Sequence, residues 1–300
     1  KLKNISGLIT NPSQKPSFSK PIKNLDSLPF PERTLFPLEK YYHERSGFGP
    51  SNNKYTSIIT SRGCPNKCSY CASSVFWGGF WRPRSPKNVV DEIQHCFEKL
   101  GITEFHFVDD NLTLDKRRFA EICKEIIRRK LNIYWGATNG IRPENVDYNL
   151  LCLMKKSGCN QITFAPESGS KRVLEKIYHK KIDLDKILDL VEWANKLKIK
   201  TTAYILVGCI GENQEDRALT KRYVKSLVKK GVDEVGIFAL MPYPETPIKS
   251  RYKHFKYSWE DLTTGNTPLS YPDYAKVISF KRRLYLSFIL NQVVYHPQKV

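Results

Sequence analysis

The sequence predicts an α/β fold built around a parallel sheet. Between residues 55 and 241, six short strand-like runs alternate with longer segments whose apolar residues recur at helical spacing. Glycines stand near the predicted helix ends, at Gly101, Gly158 and Gly231, where a left-handed residue commonly stops a helix. Because a helix separates each strand from the next, we expect successive strands to run parallel, with right-handed crossovers.

The strands are predicted from short runs rich in β-branched and aromatic residues, such as Tyr55-Thr-Ser-Ile-Ile-Thr60. In chain order, we predict strands over 55–61, 103–108, 132–138, 160–165, 201–207 and 233–240.

The helices are predicted from apolar residues three and four positions apart, as in Val89, Ile93, Phe97 and Leu100. In chain order, we predict helices over 86–100, 115–130, 147–157, 183–198 and 213–230. Cap signals precede the first four of these helices, and they are Ser85, Asp115, Asp147 and Asp183.

Three cysteines, Cys64, Cys68 and Cys71, stand in one short loop directly after the first predicted strand. Three thiolates held by one tight loop can ligate three irons of a 4Fe-4S cube, which normally takes four cysteine ligands. The fourth iron is then open to a substrate or cofactor, so the C-x3-C-x2-C spacing points to a chemical site.

Two other uses of cysteine compete with this interpretation. A structural zinc site usually has four ligands in two close pairs, and no second pair follows here at finger-like distance. A disulfide framework would need regular spacing, which the eight cysteines lack. The remaining five lie in apolar periodic segments, where packing is their expected use, and are Cys96, Cys123, Cys152, Cys159 and Cys209.

The cysteine loop, with Tyr70 just before its last cysteine, resembles that of the radical S-adenosylmethionine (radical SAM) superfamily. The resemblance implies a partial (β/α)6 TIM-like barrel that binds a 4Fe-4S cluster and S-adenosylmethionine. It also implies reductive cleavage of S-adenosylmethionine to a 5'-deoxyadenosyl radical, which takes hydrogen from an unreactive carbon. We expect an N-terminal linker over 1–50, the barrel over 51–248 and a C-terminal helical extension over 249–300.

In such a barrel the strand ends carry the cofactor contacts. Asp109, Asp110 and Asn111 follow the second strand and match the location of the family's polar motif for the amino group of S-adenosylmethionine. The alternative is that they only turn the chain toward the next helix. Asn139 and Arg142 end the third strand, where an arginine could pair with the cofactor carboxylate.

The next two strand ends also resemble family motifs. Ala165-Pro-Glu-Ser-Gly-Ser170 is similar to Gly-x-Glu-Ser-Gly-Ser, which implies that Glu167 and Ser168 lie near the ribose and methionine portions of the cofactor. Capping of a short helix over 171–177 by Ser168 or Ser170 is a compatible alternative. Gly208, in Gly-Cys-Ile-Gly-Glu, matches a glycine that lets the adenine lie against backbone.

The flanks of the barrel narrow the resemblance further. Ile5-Ser-Gly-Leu8, the segment from Leu25 to Arg33 and Trp81-Arg-Pro-Arg-Ser85 look like the cobalamin-dependent branch, whose cobalamin domain precedes the barrel. The corrinoid pattern D-x-H-x-x-G does not occur in these 300 residues. The cobalamin domain would therefore lie upstream of Lys1 or be absent. If a corrin is present, we expect a methyl transfer to the substrate radical as the reaction.

The formal charge of +19 is spread along every predicted helix, which favours a solvated lysine-rich surface over a nucleic-acid groove. Two alternatives to the methyltransferase interpretation stay open. One is a radical SAM methylthiotransferase that modifies tRNA, and the other is a non-enzymatic iron-sulfur electron carrier.

The partners follow from the expected chemistry. An oxygen-sensitive cluster implies a cytoplasmic protein and a reductant such as flavodoxin or ferredoxin. Aromatic residues that follow the cluster loop could line a pocket for a small-molecule or lipid-like substrate, or cover the cluster, and are Phe76, Trp77, Phe80 and Trp81.

No apolar run reaches the 18 or more residues of a membrane span. Lys281-Arg-Arg283 opens an aromatic and aliphatic stretch, 284–290, that we expect to dock as a helix onto the main domain. Peripheral contact of this helix with a membrane is the alternative.

Overall fold

The computed structural model describes residues 7–11, 13–14, 20–42, 54–261 and 267–299. The predicted linker is therefore described only in part, and its Ile5 and Ser6 lie outside the described residues. Residues 262–266 and 300 of the predicted extension also lie outside them. The division into three segments stays a prediction.

Six of the eight strands in the described chain form one parallel sheet. The eight strands are β1 (Tyr55–Ile58), β2 (Ser61–Arg62), β3 (Arg82–Pro83), β4 (Glu104–Phe107), β5 (Tyr134–Ile141), β6 (Cys159–Glu167), β7 (Lys200–Val207) and β8 (Glu234–Ala239). The sheet order is β1-β4-β5-β6-β7-β8, and β2 pairs with β3 in a separate antiparallel ribbon. Because β1 and β8 are the two edges, the described sheet is open, as a partial barrel requires.

Helices connect the sheet strands and extend beyond them. They are α1 (Leu38–Tyr42), α2 (Ser73–Trp77), α3 (Pro86–Leu100), α4 (Lys116–Arg128), α5 (Tyr148–Lys156), α6 (Leu184–Lys196), α7 (Gln214–Lys229) and α8 (Tyr274–Tyr295). Single 3-10 turns occur at Leu25–Ser27, Arg33–Leu35, Pro143–Asn145, Pro247–Tyr252, Trp259–Asp261 and Pro297–Lys299, and a π turn occurs at Val173–Ile177.

The predicted strand and helix order is confirmed. All six predicted strands form the sheet, with ends that differ by up to three residues from the prediction. The five predicted helices are α3 to α7, and their ends differ from the prediction by at most two residues. The four predicted cap side chains each accept a hydrogen bond from a backbone amide of the first turn. The sequence did not predict α2 or the β2–β3 ribbon, because each spans only two to five residues.

The core lies between the sheet and its covering helices. Trp135 of β5 is fully buried, contacts the ring of Phe119 from α4, and donates its indole hydrogen to Ser157 O at 3.0 Å. The packing predicted for the five remaining cysteines is confirmed for Cys96, Cys123, Cys159 and Cys209, which are buried, whereas Cys152 is half-exposed. All eight cysteines are free thiols.

The C-terminal helix α8 docks on the sheet beside its last strand. Its buried face contains Val277, Phe280, Leu284, Phe288 and Gln292. The Gln292 side chain donates to Val232 O just before β8, at 2.9 Å. The predicted docking is confirmed, because α8 packs against β8.

The outer face of α8 stays apolar toward its end, where Leu286, Leu290 and Val294 are exposed. None of the helices in the described ranges is both long and apolar enough to span a bilayer.

A buried ion cluster ties the segment before the sheet to α3. Glu92 of α3 accepts from the guanidinium groups of Arg33 and Arg84, and the Arg33 contact is 2.6 Å. Arg33 also donates to Thr56 Oγ1 in β1, at 2.9 Å. The side chain of Glu92 is 2% exposed, so both cations depend on this one carboxylate.

We predict that Glu92→Ala lowers the free energy of unfolding by about 3–5 kcal/mol, because it leaves two buried guanidinium groups without their counter-ion. Glu121→Ala is the matched control, since Glu121 lies on α4 and pairs with Lys124 at the surface. We expect this control to cost less than about 1 kcal/mol in urea unfolding. Equal losses in the two variants would contradict a structural part for the cluster.

Candidate functional site

The predicted site residues follow the carboxyl ends of neighbouring strands, which meet at one edge of the sheet. Asp109 joins the first two strand ends. Its carboxylate accepts from Thr60 N at 3.0 Å, Thr60 Oγ1 at 2.7 Å and Ser61 Oγ at 2.6 Å. Burial raises the pKa of this carboxyl, while the hydrogen bonds from Ser61 and Thr60 oppose that effect. Asp109 therefore fixes the chain just before the cysteine loop, and a cofactor contact by its carboxylate stays a prediction.

The cysteine loop is anchored at both of its ends. At the start, Gly63 N donates to Asp110 Oδ2 at 3.1 Å, and Gly63 has φ +89°. A Cβ at this position would lie 2.0 Å from Phe80 O, so only glycine fits. Near the end, Ser69 binds the π turn, because its Oγ donates to Ile177 O at 2.6 Å.

The three thiols lie near enough to one another for their charges to interact. Burial raises the pKa of Cys68 and of Cys71, and the Cys64 thiol raises both further by charge repulsion. Lys180 and Arg142 oppose this rise at Cys68. A bound cation reverses such an effect, because it favours the thiolate outright.

The donor set suits an iron-sulfur cluster. Cys64, Cys68 and Cys71 supply three thiols from one loop, and cluster ligands each bind a different iron. Within the described part of the chain, no group of three or more Cys, His, Asp or Glu side chains converges closely enough to hold one metal ion.

Asn111 carries an unpaired acceptor beside the thiols. Its Nδ2 lies 3.5 Å from Cys64 Sγ, as a donor to the sulfur. Its Oδ1 is buried and has no hydrogen-bond partner among the described residues. Since a buried oxygen without a donor is costly, this atom fits an ammonium or hydroxyl donor supplied by a ligand.

Glu167 stands in a strained position with two donors on one oxygen. It ends β6 at φ +65°, next to a register shift in the pairing with β7. Its Oε1 accepts from Tyr70 Oη at 2.8 Å and from Lys180 Nζ at 2.9 Å. Both carboxylate and ammonium side chains are 8% exposed. Strain of this kind persists where surrounding contacts impose it, and it is common at binding sites.

Two of the predicted contacts lie away from these groups. Ser168 is fully buried, and its Oγ is hydrogen-bonded to Thr220 Oγ1 at 3.1 Å. Ser170 Oγ accepts from Val173 N at 3.3 Å, so the capping alternative holds for Ser170. At Gly208 a Cβ would lie 2.7 Å from Val277 of α8, so packing of α8 alone requires glycine there. Cofactor contacts at Ser168 and Gly208 stay predictions.

The third strand end contributes one amide and one arginine. Asn139 lines a cavity beside Glu167 and donates from Nδ2 to Val108 O at 2.8 Å. Arg142 pairs with Glu144 at 3.0 Å, so its guanidinium already has a carboxylate partner.

A cavity of about 690 Å³ opens beside Glu167 and Tyr70. Its wall is mostly apolar and comes from β7, β8, the following loop and α8, with Tyr204, Leu206, Phe238, Met241, Tyr285 and Phe288 among its residues. The aromatic residues that the sequence pointed to lie elsewhere, since Phe76 and Phe80 are exposed on the surface. The apolar space is therefore inside the partial barrel.

Sequence reasoning missed Lys180, Thr60 and Ser61. The Thr-Ser pair directly before the cysteine loop was a usable signal, because hydroxyls there can pair with a carboxylate from the next strand end. Lys180 carries no such signal, as it follows an irregular turn and has lysine as its neighbour.

Comparison with known proteins gives independent evidence on the family of this chain. A family model described as Radical SAM superfamily matches residues 58–224. A protein of Pyrococcus horikoshii described as an uncharacterized methyltransferase is 29% identical over 91% of this chain and 58% of its own length. Cytidylyl-2-hydroxyethylphosphonate methyltransferase of Streptomyces wedmorensis is 31% identical over 73% of this chain and 41% of its own length.

Among solved structures, the radical S-adenosylmethionine methyltransferase TsrM of Kitasatospora setae superposes with a TM-score of 0.60 at 22% identity. The match covers 70% of this chain and 39% of that one, so it supports the fold. The chain spans only about two fifths to three fifths of the length of the two curated relatives.

We predict that Lys180→Met lowers the free energy of unfolding by about 3 kcal/mol, because it leaves the Glu167 carboxylate buried without its cation. The double variant Lys180→Met/Glu167→Gln removes both charges, and we expect it to recover part of that loss in urea unfolding. Lys181→Met, at the exposed neighbour, is the matched control and should stay within about 0.5 kcal/mol of the parent. A double variant less stable than Lys180→Met would show that the pair is not coupled in this way.

Proposed function

The chain belongs to the radical SAM superfamily, and from that premise we propose that it cleaves S-adenosylmethionine reductively to start radical chemistry on an unactivated carbon. We further propose that the reaction is a cobalamin-dependent methyl transfer. The observation that supports the first step is the three-thiol loop beside the Glu167 carboxylate, at the mouth of an apolar cavity.

The residues divide the work of binding. Cys64, Cys68 and Cys71 would hold a 4Fe-4S cluster at three corners. When bound, the cluster supplies one electron to the sulfonium of S-adenosylmethionine, which breaks a carbon-sulfur bond. Asn111 Oδ1 would accept from the amino group of that molecule, because this buried oxygen lacks a donor.

Glu167 would orient the ribose. Tyr70 and Lys180 both bind Oε1, which leaves Oε2 to accept from a ribose hydroxyl. The Lys180 ammonium and the Tyr70 hydroxyl together fix the rotamer of the buried Glu167 side chain. The apolar wall beyond Glu167 would exclude water from a reactive carbon radical.

Methyl transfer is supported by the names of relatives. Both curated relatives are named as methyltransferases, and a second TsrM structure is described with cobalamin and a 4Fe-4S cluster bound. We propose that cobalamin is held by a domain outside these 300 residues, which lack D-x-H-x-x-G. In this proposal residues 51–248 form the catalytic barrel and residues 249–300 complete its wall.

The partners proposed here follow from the same chemistry. Radical SAM enzymes need a reductant, and we propose flavodoxin or ferredoxin in a cytoplasmic setting. Peripheral contact with a membrane would use the exposed end of α8.

We predict that Cys68→Ala abolishes the formation of 5'-deoxyadenosine from S-adenosylmethionine by anaerobically reconstituted, dithionite-reduced protein. The reason is that two cysteines cannot retain a site-differentiated cube. Iron and sulfide content should fall in the same sample. Cys152→Ala removes a half-exposed thiol on α5 and is the matched control that should retain both.

Product formation by Cys68→Ala would overturn the assignment. A parent protein that reduces its cluster but releases no 5'-deoxyadenosine would support the electron-carrier alternative. Binding of labelled tRNA with a steep dependence on salt would support the methylthiotransferase alternative.

A further inference from the structure

A groove of about 630 Å³ runs along the free edge of the sheet, between β8 and α8. The side of α8 that faces it carries two aromatic, one aliphatic and two cationic residues, which are Tyr274, Ile278, Lys281, Arg282 and Tyr285. The groove is thus amphiphilic, and none of the predicted cofactor contacts lines it.

The groove adjoins the cavity beside Glu167. Val235, Gly236, Phe238 and Tyr285 belong to the walls of both spaces. Just before and just after β8, the Gln292 side chain donates to Val232 O and Tyr271 Oη donates to Leu240 O, the latter at 2.6 Å. Gly236 contributes no side chain to the boundary between the groove and the cavity, and the rings of Tyr204 and Phe238 lie against it.

The cations of the groove have no acidic partner in the described chain. Neither Lys281 nor Arg282 takes part in an ion pair formed by the described residues. Lys281 is half-buried, and burial lowers the pKa of its ammonium. A half-buried ammonium beside an exposed guanidinium, neither with a counter-ion among the described residues, favours an anion as its ligand.

The cavity behind the groove favours an apolar ligand group instead of an anion. Leu206, Phe238, Met241 and Phe288 form much of its wall, and burying apolar surface against such a wall is favourable. A molecule that fills both spaces must therefore carry an acid group at one end and an apolar body at the other.

We propose that the substrate is an anionic amphiphile, an identification that rests on the function proposed above. Lys281 and Arg282 bind its carboxylate or phosphate in the groove. Its apolar body passes Tyr285 and Gly236 into the cavity and brings a saturated carbon toward Tyr70 and Glu167.

The head-group test uses decanoate, decyl phosphate and decanol below their micelle concentrations, with reconstituted protein in titration calorimetry. We expect the two anions to bind with a Kd about tenfold lower than that of decanol, because each forms charge-assisted hydrogen bonds. Whichever anion binds more tightly identifies the acid group.

Variants test whether Lys281 and Arg282 cause the preference for anions over decanol. Lys281→Gln/Arg282→Gln should remove the difference between the anions and decanol. Arg283→Gln is the matched control, because Arg283 lies on α8 in a separate depression with Arg217 and Lys221. This control should keep the full preference.

Entry of the apolar body into the cavity is tested by varying the alkyl chain length of the ligand. From hexanoate to decanoate, we expect affinity to rise about fourfold for each buried methylene. Gly236→Ala places a Cβ 2.9 Å from the rings of Tyr204 and Phe238, which must then move. It should flatten the dependence on chain length and keep the preference for anions. Leu206→Trp fills the cavity from β7 and provides a second variant if Gly236→Ala unfolds.

Equal binding of decanol and the anions, or an unchanged preference in the Lys281/Arg282 double variant, would overturn the proposal. The same protein samples are assayed for 5'-deoxyadenosine. In the parent protein, absence of the preference for anions with intact cleavage overturns the substrate class alone, whereas absent cleavage with intact anion binding overturns the proposed function alone.

Discussion

Parallel pairing of the six strands is the constraint on which the site depends. Because every strand of the sheet runs in the same direction, the residues after β1, β4, β5 and β6 all reach one edge. Groups far apart in sequence, such as Cys64, Asn111 and Glu167, are thereby gathered at one edge of the sheet. The helices cover the outer face of the sheet and leave its carboxyl edge free for binding.

Buried charges then fix the details that strand pairing leaves open. Asp109 binds Thr60 and Ser61, so the chain leaves β1 in a set direction before it forms the thiol loop. Glu167 has a backbone conformation that costs about 1–3 kcal/mol for a residue other than glycine. Its hydrogen bonds with Tyr70 and Lys180 offset that cost and hold the carboxylate at the cavity.

The sequence was sufficient for the strand and helix order, since local periodicity and cap residues such as Asp115 and Asp147 are local signals. It was also sufficient for the thiol loop, whose spacing lies within eight residues. It could not place Lys180, because the partner of a buried carboxylate depends on how an irregular turn packs. The same limit applies to Ser168, whose neighbour Thr220 is 52 residues away on α7. Only the tertiary contacts show whether a side-chain oxygen is free to bind a ligand or is already bound by a neighbouring side chain.

The last wall of the barrel is a helix, where a closed ring would have strands. A strand in that place would be held by backbone hydrogen bonds on both sides, so a change in that strand would disturb the two neighbouring strands. Tyr285 and Phe288 of α8 line the cavity without being held by strand pairing. Substitutions at these two positions would change the shape of the cavity while the sheet stays intact. The shape of the cavity can therefore change through α8 alone, while the strand ends that carry Cys64, Asn111 and Glu167 keep their positions.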